Sequence, residues 1–226
     1  MVPKIVAVAS TKGGVGKTTI ALQIAIERAH QGKEVWLIDG DRQQTAQTAL
    51  SLRASQKKTP VIACASYTDG ELLLAQVDVQ KEKWDSIVID VGGFDSSTLR
   101  SALMISDVVV VPFQPRNFDV WGLSRISQLI HEVNIFRKKN PLRGLALLNS
   151  ADPNLSSLEN IEAKQAVDDH PELTALETQL CRRKAFATAS GFGLSVSEMK
   201  IKDKKAIHEV QSLLSEVFSD FEKGGK

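Results

Sequence analysis

Ser10–Thr19 reads STKGGVGKTT and stands between the apolar run KIVAVA and a helical pattern that begins at Lys17. Each residue type in it answers a need of phosphate binding. Gly13, Gly14 and Gly16 lack Cβ atoms, so the backbone can turn tightly and aim N–H groups at phosphate oxygens, with Val15 adding its amide between them. A helix starting at Lys17 contributes its positive end. Lys17 can reach the β- and γ-phosphates, Thr18 can offer a hydroxyl to Mg²⁺, and Thr19 can offer one to the α-phosphate. A chance glycine-rich turn would have neither the preceding strand nor the G-K-T ending.

Working outward, short β-rich runs alternate with helical patterns. Strands are expected at Lys4–Ala9, Glu34–Asp39, Ser86–Val91, Asp107–Pro112 and Arg143–Asn149, with weaker ones at Val61–Ala65 and Ala175–Leu180. IVID (Ile87–Asp90) and VVVV (Val108–Val111) are continuous apolar runs, as in strands buried on both faces of a parallel sheet. Helices are expected over 17–31, over Val120–Lys139, and over Lys204–Glu222, where Ile207, Val210, Leu213, Leu214, Val217, Phe218 and Phe221 recur at helical spacing. The polar stretch Ser150–Asn160 reads as a loop or insertion. Alternation of this kind predicts a three-layer α/β/α domain over residues 1–226, with a mostly parallel sheet.

The general phosphate-loop pattern G-x-x-x-x-G-K-S/T fails here, because Thr11 stands where its first glycine belongs. What fits is K-G-G-x-G-K-T, with the additional lysine Lys12. In this the sequence resembles the ParA/MinD superfamily of deviant Walker A P-loop ATPases, of the SIMIBI type. That group includes plasmid and chromosome partition ATPases, MinD and the nitrogenase iron protein. The resemblance implies ATP and Mg²⁺ as cofactors. It also implies that Lys12 crosses a dimer interface to the partner subunit's nucleotide; without it, Lys12 reads as a solvated loop lysine.

Two further segments agree. WLIDGDRQQT (Trp36–Thr45) resembles the family's D-x-D-P-Q segment, with Arg42 in place of the proline. Asp41 falls on the second aspartate, which orients the attacking water near Mg²⁺, and Asp39 and Gln43 also match. SIVIDVGGFD (Ser86–Asp95) resembles the Walker B strand. Asp90 closes it, where an unpaired carboxylate is costly and a water-bridged Mg²⁺ is a natural partner. Gly92 and Gly93 then let the backbone approach the γ-phosphate.

The resemblance extends down the chain. Val108–Gly122 is similar to a segment of small partition ATPases such as ParF. Asn149 reads either as an adenine contact or as a turn residue. Arg183, Phe186, Gly193, Ser195 and Val196 match the family's late segment, an arginine before an aromatic and then G-x-S-V. The phosphate loop begins within the first dozen residues, so no N-terminal helix-turn-helix extension is expected, and with it no sequence-specific operator binding.

The formal net charge of +1 gives no global attraction for nucleic acid, so any DNA contact must come from a local patch. Arg182, Arg183 and Lys184 are contiguous, and Lys200, Lys202, Lys204 and Lys205 crowd the approach to the last helix. A charge run is usually a solvated face; the family's habit of binding DNA without sequence preference makes these seven the candidates. The last helix carries Glu209, Glu216, Asp220 and Glu222 on its polar side, with only Lys223 and Lys226 trailing, which does not suit a membrane anchor. Cys64 and Cys181 form no metal-type pair and fit a reducing cytosol.

The expectation is therefore a cytoplasmic, nucleoid-associated partition ATPase. ATP should drive a sandwich homodimer that binds nonspecific DNA, and a small ParB-like centromere-binding partner should stimulate hydrolysis and release. Alternatives are a cousin that positions another cargo, such as a conjugation complex or a microcompartment, a MinD-like membrane ATPase, or a metabolic P-loop enzyme with a small-molecule pocket.

Overall fold

A computed structural model describes residues 4–115 and 117–223, with the side chains of 117–121 and 219–223 outside the description. The expectations placed on Phe221, Asp220, Glu222, Lys223 and Lys226 fall outside the described side chains. Elements alternate along the chain as β1 (Lys4–Val8), α1 (Lys17–His30), β2 (Val35–Asp39), α2 (Thr45–Ser55), β3 (Ala63–Ser66), α3 (Gly70–Gln80), β4 (Ser86–Asp90), α4 (Ser97–Ile105), β5 (Val108–Phe113) and α5 (Asn117–Phe136). There follow β6 (Arg143–Ala151), α6 (Leu158–Gln165), β7 (Leu173–Ala175), β8 (Leu180–Cys181), α7 (Lys184–Gly191) and α8 (Lys204–Lys223).

The strands form one parallel sheet in the order β3-β2-β4-β1-β5-β6-β7, with β8 also pairing β6. β1, β4 and β5 are buried almost throughout, which is why their sequences are continuously apolar. Alternate side chains feed two separate cores. Val6, Val8, Val88 and Val110 pack with Ile20, Ile24, Leu213 and Phe218 of α1 and α8. Ile5, Ala7, Ile87 and Val109 pack with Leu99, Ile126 and Ile130 of α4 and α5 on the other face. Sheet and two helical layers make the expected three-layer α/β fold, with every strand's carboxyl end at one edge.

Three expectations need correction. The strand expected at Ala175–Leu180 is two short strands, because the chain leaves the sheet between them. There the Glu177 and Thr178 amides donate to the Glu216 carboxylate of α8, at 2.9 and 2.8 Å, instead of to β6. Glu216 thus bonds backbone and is not part of a purely solvent-facing row. The expected loop Ser150–Asn160 shrinks: β6 runs to Ala151, and α6 starts at Leu158 under a Ser157 cap. The long helix starts at Asn117 and stops at Phe136, short of Lys139, since the Asn134 side chain pins the returning chain through both polar groups of Leu142.

Candidate functional site

The loop between β1 and α1 is held open by its own sequence. Gly14 and Gly16 take φ of 75° and 92°, a region that costs other residues strain. At Gly16 a Cβ would also lie 2.3 Å from Nδ2 of Asn149. That amide, at the far end of β6, donates to the Val15 carbonyl at 2.7 Å. Gln114, just past β5, donates to the Gly14 carbonyl at 3.2 Å. Two strands C-terminal to the loop in sequence therefore fix its backbone from one side. α1 has no side-chain cap and no acidic residue in its first turn. Its N-terminal amides are left for an anion.

Lys17 is nearly buried and donates to the Lys12 carbonyl at 2.7 Å. Burial lowers its pKa, and Asp90 and Asp41 pull the other way. Thr18 and Thr19, half-buried, follow it on the first turn of α1.

Three carboxylates meet the loop from β2 and β4, which pair in register with Asp39 opposite Asp90. Asp39 is fully buried and spends its oxygens on the Asp41 and Gln47 amides, at 3.0 and 2.9 Å. It shapes the turn and is not free for a ligand. The turn closes without the family's proline: Gln44, at φ 52°, donates its amide to the Asp41 carbonyl at 3.0 Å. Asp41 is half-buried; one side-chain oxygen accepts from the Gln43 amide at 3.0 Å, and the other faces Gly92, where a Cβ would lie 3.4 Å away. Asp90 differs from both. It is 1% exposed, and neither carboxylate oxygen has a hydrogen-bond partner of normal geometry among the described residues. Burial pushes its pKa up to about 7, against the pull of the neighbouring Thr18 hydroxyl and of Lys17. A buried carboxylate left this way is costly unless a cation or a bound water completes it.

Gly93 lies against the loop itself. A Cβ there would stand 3.0 Å from the Gly13 nitrogen, so a side chain at this position would crowd the loop backbone. Lys12 leaves sideways: a Cβ on Gly122 of α5 would meet its Cγ at 2.9 Å, and the residue is half-buried.

The CobQ/CobB/MinD/ParA nucleotide binding domain model matches residues 6–196. This chain belongs to that ParA/MinD superfamily of P-loop ATPases. Among proteins similar to it, the maintenance of carboxysome distribution protein A of Halothiobacillus neapolitanus is 26% identical over 215 residues, 93% of this chain and 94% of that one. Protein ParA of Rhizobium radiobacter is 27% identical over 204 residues, covering 88% of this chain and 87% of the relative. In three dimensions, a McdA variant of Cyanothece solved as an ATP complex superposes with a TM-score of 0.78 at 15% identity, over 96% of this chain and 97% of that one. At that identity the likeness speaks for the fold alone.

Other residues singled out in this ParA/MinD-type chain separate into distinct places. Gly193, Ser195 and Val196 do not line the phosphate loop. They form a buckle behind α1: at Gly193, φ +67°, a Cβ would lie 2.2 Å from the Ala49 carbonyl, Ser195 bonds Glu27, and Gln23 accepts from the Val196 amide at 2.8 Å. Arg183 pairs with Glu209 at 2.7 Å and approaches Asp203 at 3.9 Å, with 17% of its side chain exposed. Arg182 is exposed and lines a small cleft of about 170 Å³ with Gln114, Pro115, Ser150, Asp152 and Glu159, next to Asn149. Lys184, Lys200, Lys202, Lys204 and Lys205 are all exposed.

Gln114 is the site residue that sequence reading misses. Glutamine carries no chemical signature. The usable signal is topological: β5 is a neighbour of β1, so the residue after β5 must face the loop after β1.

Proposed function

We propose that the chain is an ATP-switched dimer that binds DNA without sequence preference, and that a ParB-like partner releases it by stimulating hydrolysis. The cycle would segregate or position plasmid or chromosomal cargo in the cytoplasm, on the nucleoid. Gly13, Gly14, Val15 and Gly16 cradle the phosphates with Lys17 and Thr19, and Gly93 faces the γ-phosphate. Thr18, Asp41 and Asp90 would hold Mg²⁺. The observation that carries this reading is Asp90, buried beside Thr18 and Lys17 with neither oxygen in a hydrogen bond of normal geometry among the described residues. A hard divalent cation with its water shell is the partner such a carboxylate suits.

Asp41 stands at the edge of the same group, where a carboxylate can position the attacking water; phosphoryl transfer asks for placement and charge neutralisation more than for a strong base. Lys12, whose side chain runs along Gly122, reaches a second protomer's nucleotide in the dimer, as the family resemblance implies. Asn149 spends one amide hydrogen on Val15 and keeps a donor and an acceptor for the adenine edge. Lys184, Lys200, Lys202, Lys204 and Lys205 supply the DNA phosphate contacts. Among the described residues no helix is long and apolar enough to cross a membrane.

A second reading keeps the switch and changes the cargo. It is favoured by the match to a carboxysome distribution protein over 93% of this chain. In it the dimer spaces a protein-shelled body along the nucleoid. Either reading requires Lys17→Ala to abolish tight ATP binding. Titration with a fluorescent ATP analogue measures this, and unchanged affinity would remove the phosphate-loop assignment on which both readings stand.

A further inference from the structure

The loop after β6 has two sides. Asp152 faces the small cleft beside Asn149, while Pro153 and Leu155 form one wall of a second, open cleft of about 650 Å³. The first turns of α8 supply Lys204, Lys205 and His208, and Gln179 comes from the interruption between β7 and β8. The volume is in the range of clefts that hold ligands or peptide segments, about 300–1,000 Å³.

Two features mark it as more than a solvated crease. The charge is one-sided. Lys204 and Lys205 are exposed, and their ammonium groups have no hydrogen bond or ion pair among the described residues. Lys164 gives its hydrogen bond to a neutral carbonyl, that of Glu177, at 2.7 Å. Of the two acids on the walls, Glu209 is taken up by Arg183 and the Cys181 amide, which leaves Glu177 alone against three lysines. Finally, the wall formed by Pro153 and Leu155 is apolar, with Leu155 64% exposed.

We propose that this cleft docks a peptide segment of a partner protein in which carboxylates flank an apolar side chain. The apolar group packs on Leu155 and Pro153, and the carboxylates meet Lys204 and Lys205. Occupancy is felt at the nucleotide side through the shared loop. Buried Asn160 ties that loop together: it accepts from the Asp152 amide at 3.0 Å and donates to the Asp152 and Asn154 carbonyls at 3.1 and 3.2 Å. The regulatory meaning rests on the partner-controlled cycle proposed above; the binding itself does not.

The test uses the full chain with a non-hydrolysable ATP analogue and a labelled eight-residue peptide alternating glutamate and leucine, read by fluorescence anisotropy. A peptide with lysine in place of glutamate is the control. Binding of the acidic peptide should saturate, and the lysine version should bind at least about tenfold more weakly. Lys204→Glu with Lys205→Glu should cost a similar factor and leave the Tm unchanged. Equal binding of the two peptides or indifference to the charge reversal overturns the proposal. So does duplex DNA held by these lysines when the acidic peptide does not bind, which would assign them to DNA alone. Saturable peptide binding without ATP-dependent DNA binding would instead sink the DNA part of the proposed function and leave the docking site standing.

Discussion

Asn149 donates a 2.7 Å hydrogen bond to the Val15 carbonyl across 134 residues of sequence. The carboxyl end of β6 thereby holds the phosphate loop made by β1 and α1. Removing one partner leaves a carbonyl unsatisfied, at a cost of about 1–3 kcal/mol. Asn149→Ala should therefore weaken ATP-analogue binding by roughly tenfold or more, with little change in the circular dichroism of the folded chain. An affinity within a factor of two of wild type would mean that the loop keeps its shape without this strut.

Asp90 makes the nucleotide-free protein pH-sensitive in a direction that can be worked out. Burial raises its pKa from 3.8 to about 7, so the folded state holds the proton more tightly than the unfolded one. Its contribution favours folding below the unfolded value and is lost as the pH rises toward 7 and above. Asp39, also raised by burial, adds in the same sense. Asp90→Asn should stabilise the nucleotide-free protein, with a gain that grows from pH 5 to pH 8 toward a few kcal/mol. The same variant should lose the effect of Mg²⁺ on nucleotide affinity. Thermal melts across that range decide it: a gain independent of pH would mean that Asp90 is ionised and partnered throughout.

How much of this was legible in advance depends on whether a residue's type carries its role. Gly13, Gly14, Gly16, Lys17 and Thr18 do, because a close backbone approach, a cation and a hydroxyl at fixed spacing have few other uses. Ile87–Asp90 and Val108–Val111 reveal buried strands because both faces are covered. Gln114 and Asn149 act on the loop only because β5 and β6 lie on β1's side of the sheet, and that is topology. The interruption between β7 and β8 is invisible in the sequence because the Thr178 amide is claimed by Glu216, 38 residues away. Arg183 reads as part of a basic run until Glu209, 26 residues on, is seen to hold it.

Asp41 can be separated from its structural duty. Its side chain accepts the Gln43 amide, and asparagine keeps an acceptor there while removing the charge. Asp41→Asn should bind ATP within about twofold of wild type yet hydrolyse it at least about tenfold more slowly, a barrier increase of roughly 1.4 kcal/mol or more. It should also accumulate as the ATP-bound dimer in sizing experiments. Turnover near wild type would take the water-positioning role away from it.

Lys12 contributes its carbonyl to its own loop, where it accepts from Lys17, and its side chain elsewhere. Truncating the side chain should leave the backbone contact and monomeric nucleotide binding in place. Lys12→Ala is expected to lose ATP-induced dimerisation and, with it, hydrolysis. Light scattering with a non-hydrolysable analogue reads the first, and phosphate release the second. A dimer of normal strength with normal turnover in this variant would return Lys12 to an ordinary solvated lysine.

DNA binding should require ATP and should depend on the exposed lysines, not on Arg183. One protomer offers few phosphate contacts, while a dimer joins two copies rigidly and raises the effective concentration of the second. Each lost contact should reduce the magnitude of the slope of log affinity against log salt by about 0.9 on duplex DNA. Lys184→Ala with Lys200→Ala removes two exposed cations per protomer that do not line the α8 cleft. The pair should weaken binding to any sequence about equally and flatten the slope. Arg183→Ala should behave differently. Its guanidinium is held by Glu209, which raises its pKa above the usual arginine value, so its loss strands Glu209 and should lower the Tm without flattening the slope. Fluorescence anisotropy with two unrelated duplexes, at several salt concentrations and with ATP or ADP, separates the cases. Equal binding in both nucleotide states, or a slope changed by Arg183→Ala and not by the lysine pair, would move the DNA surface away from these lysines.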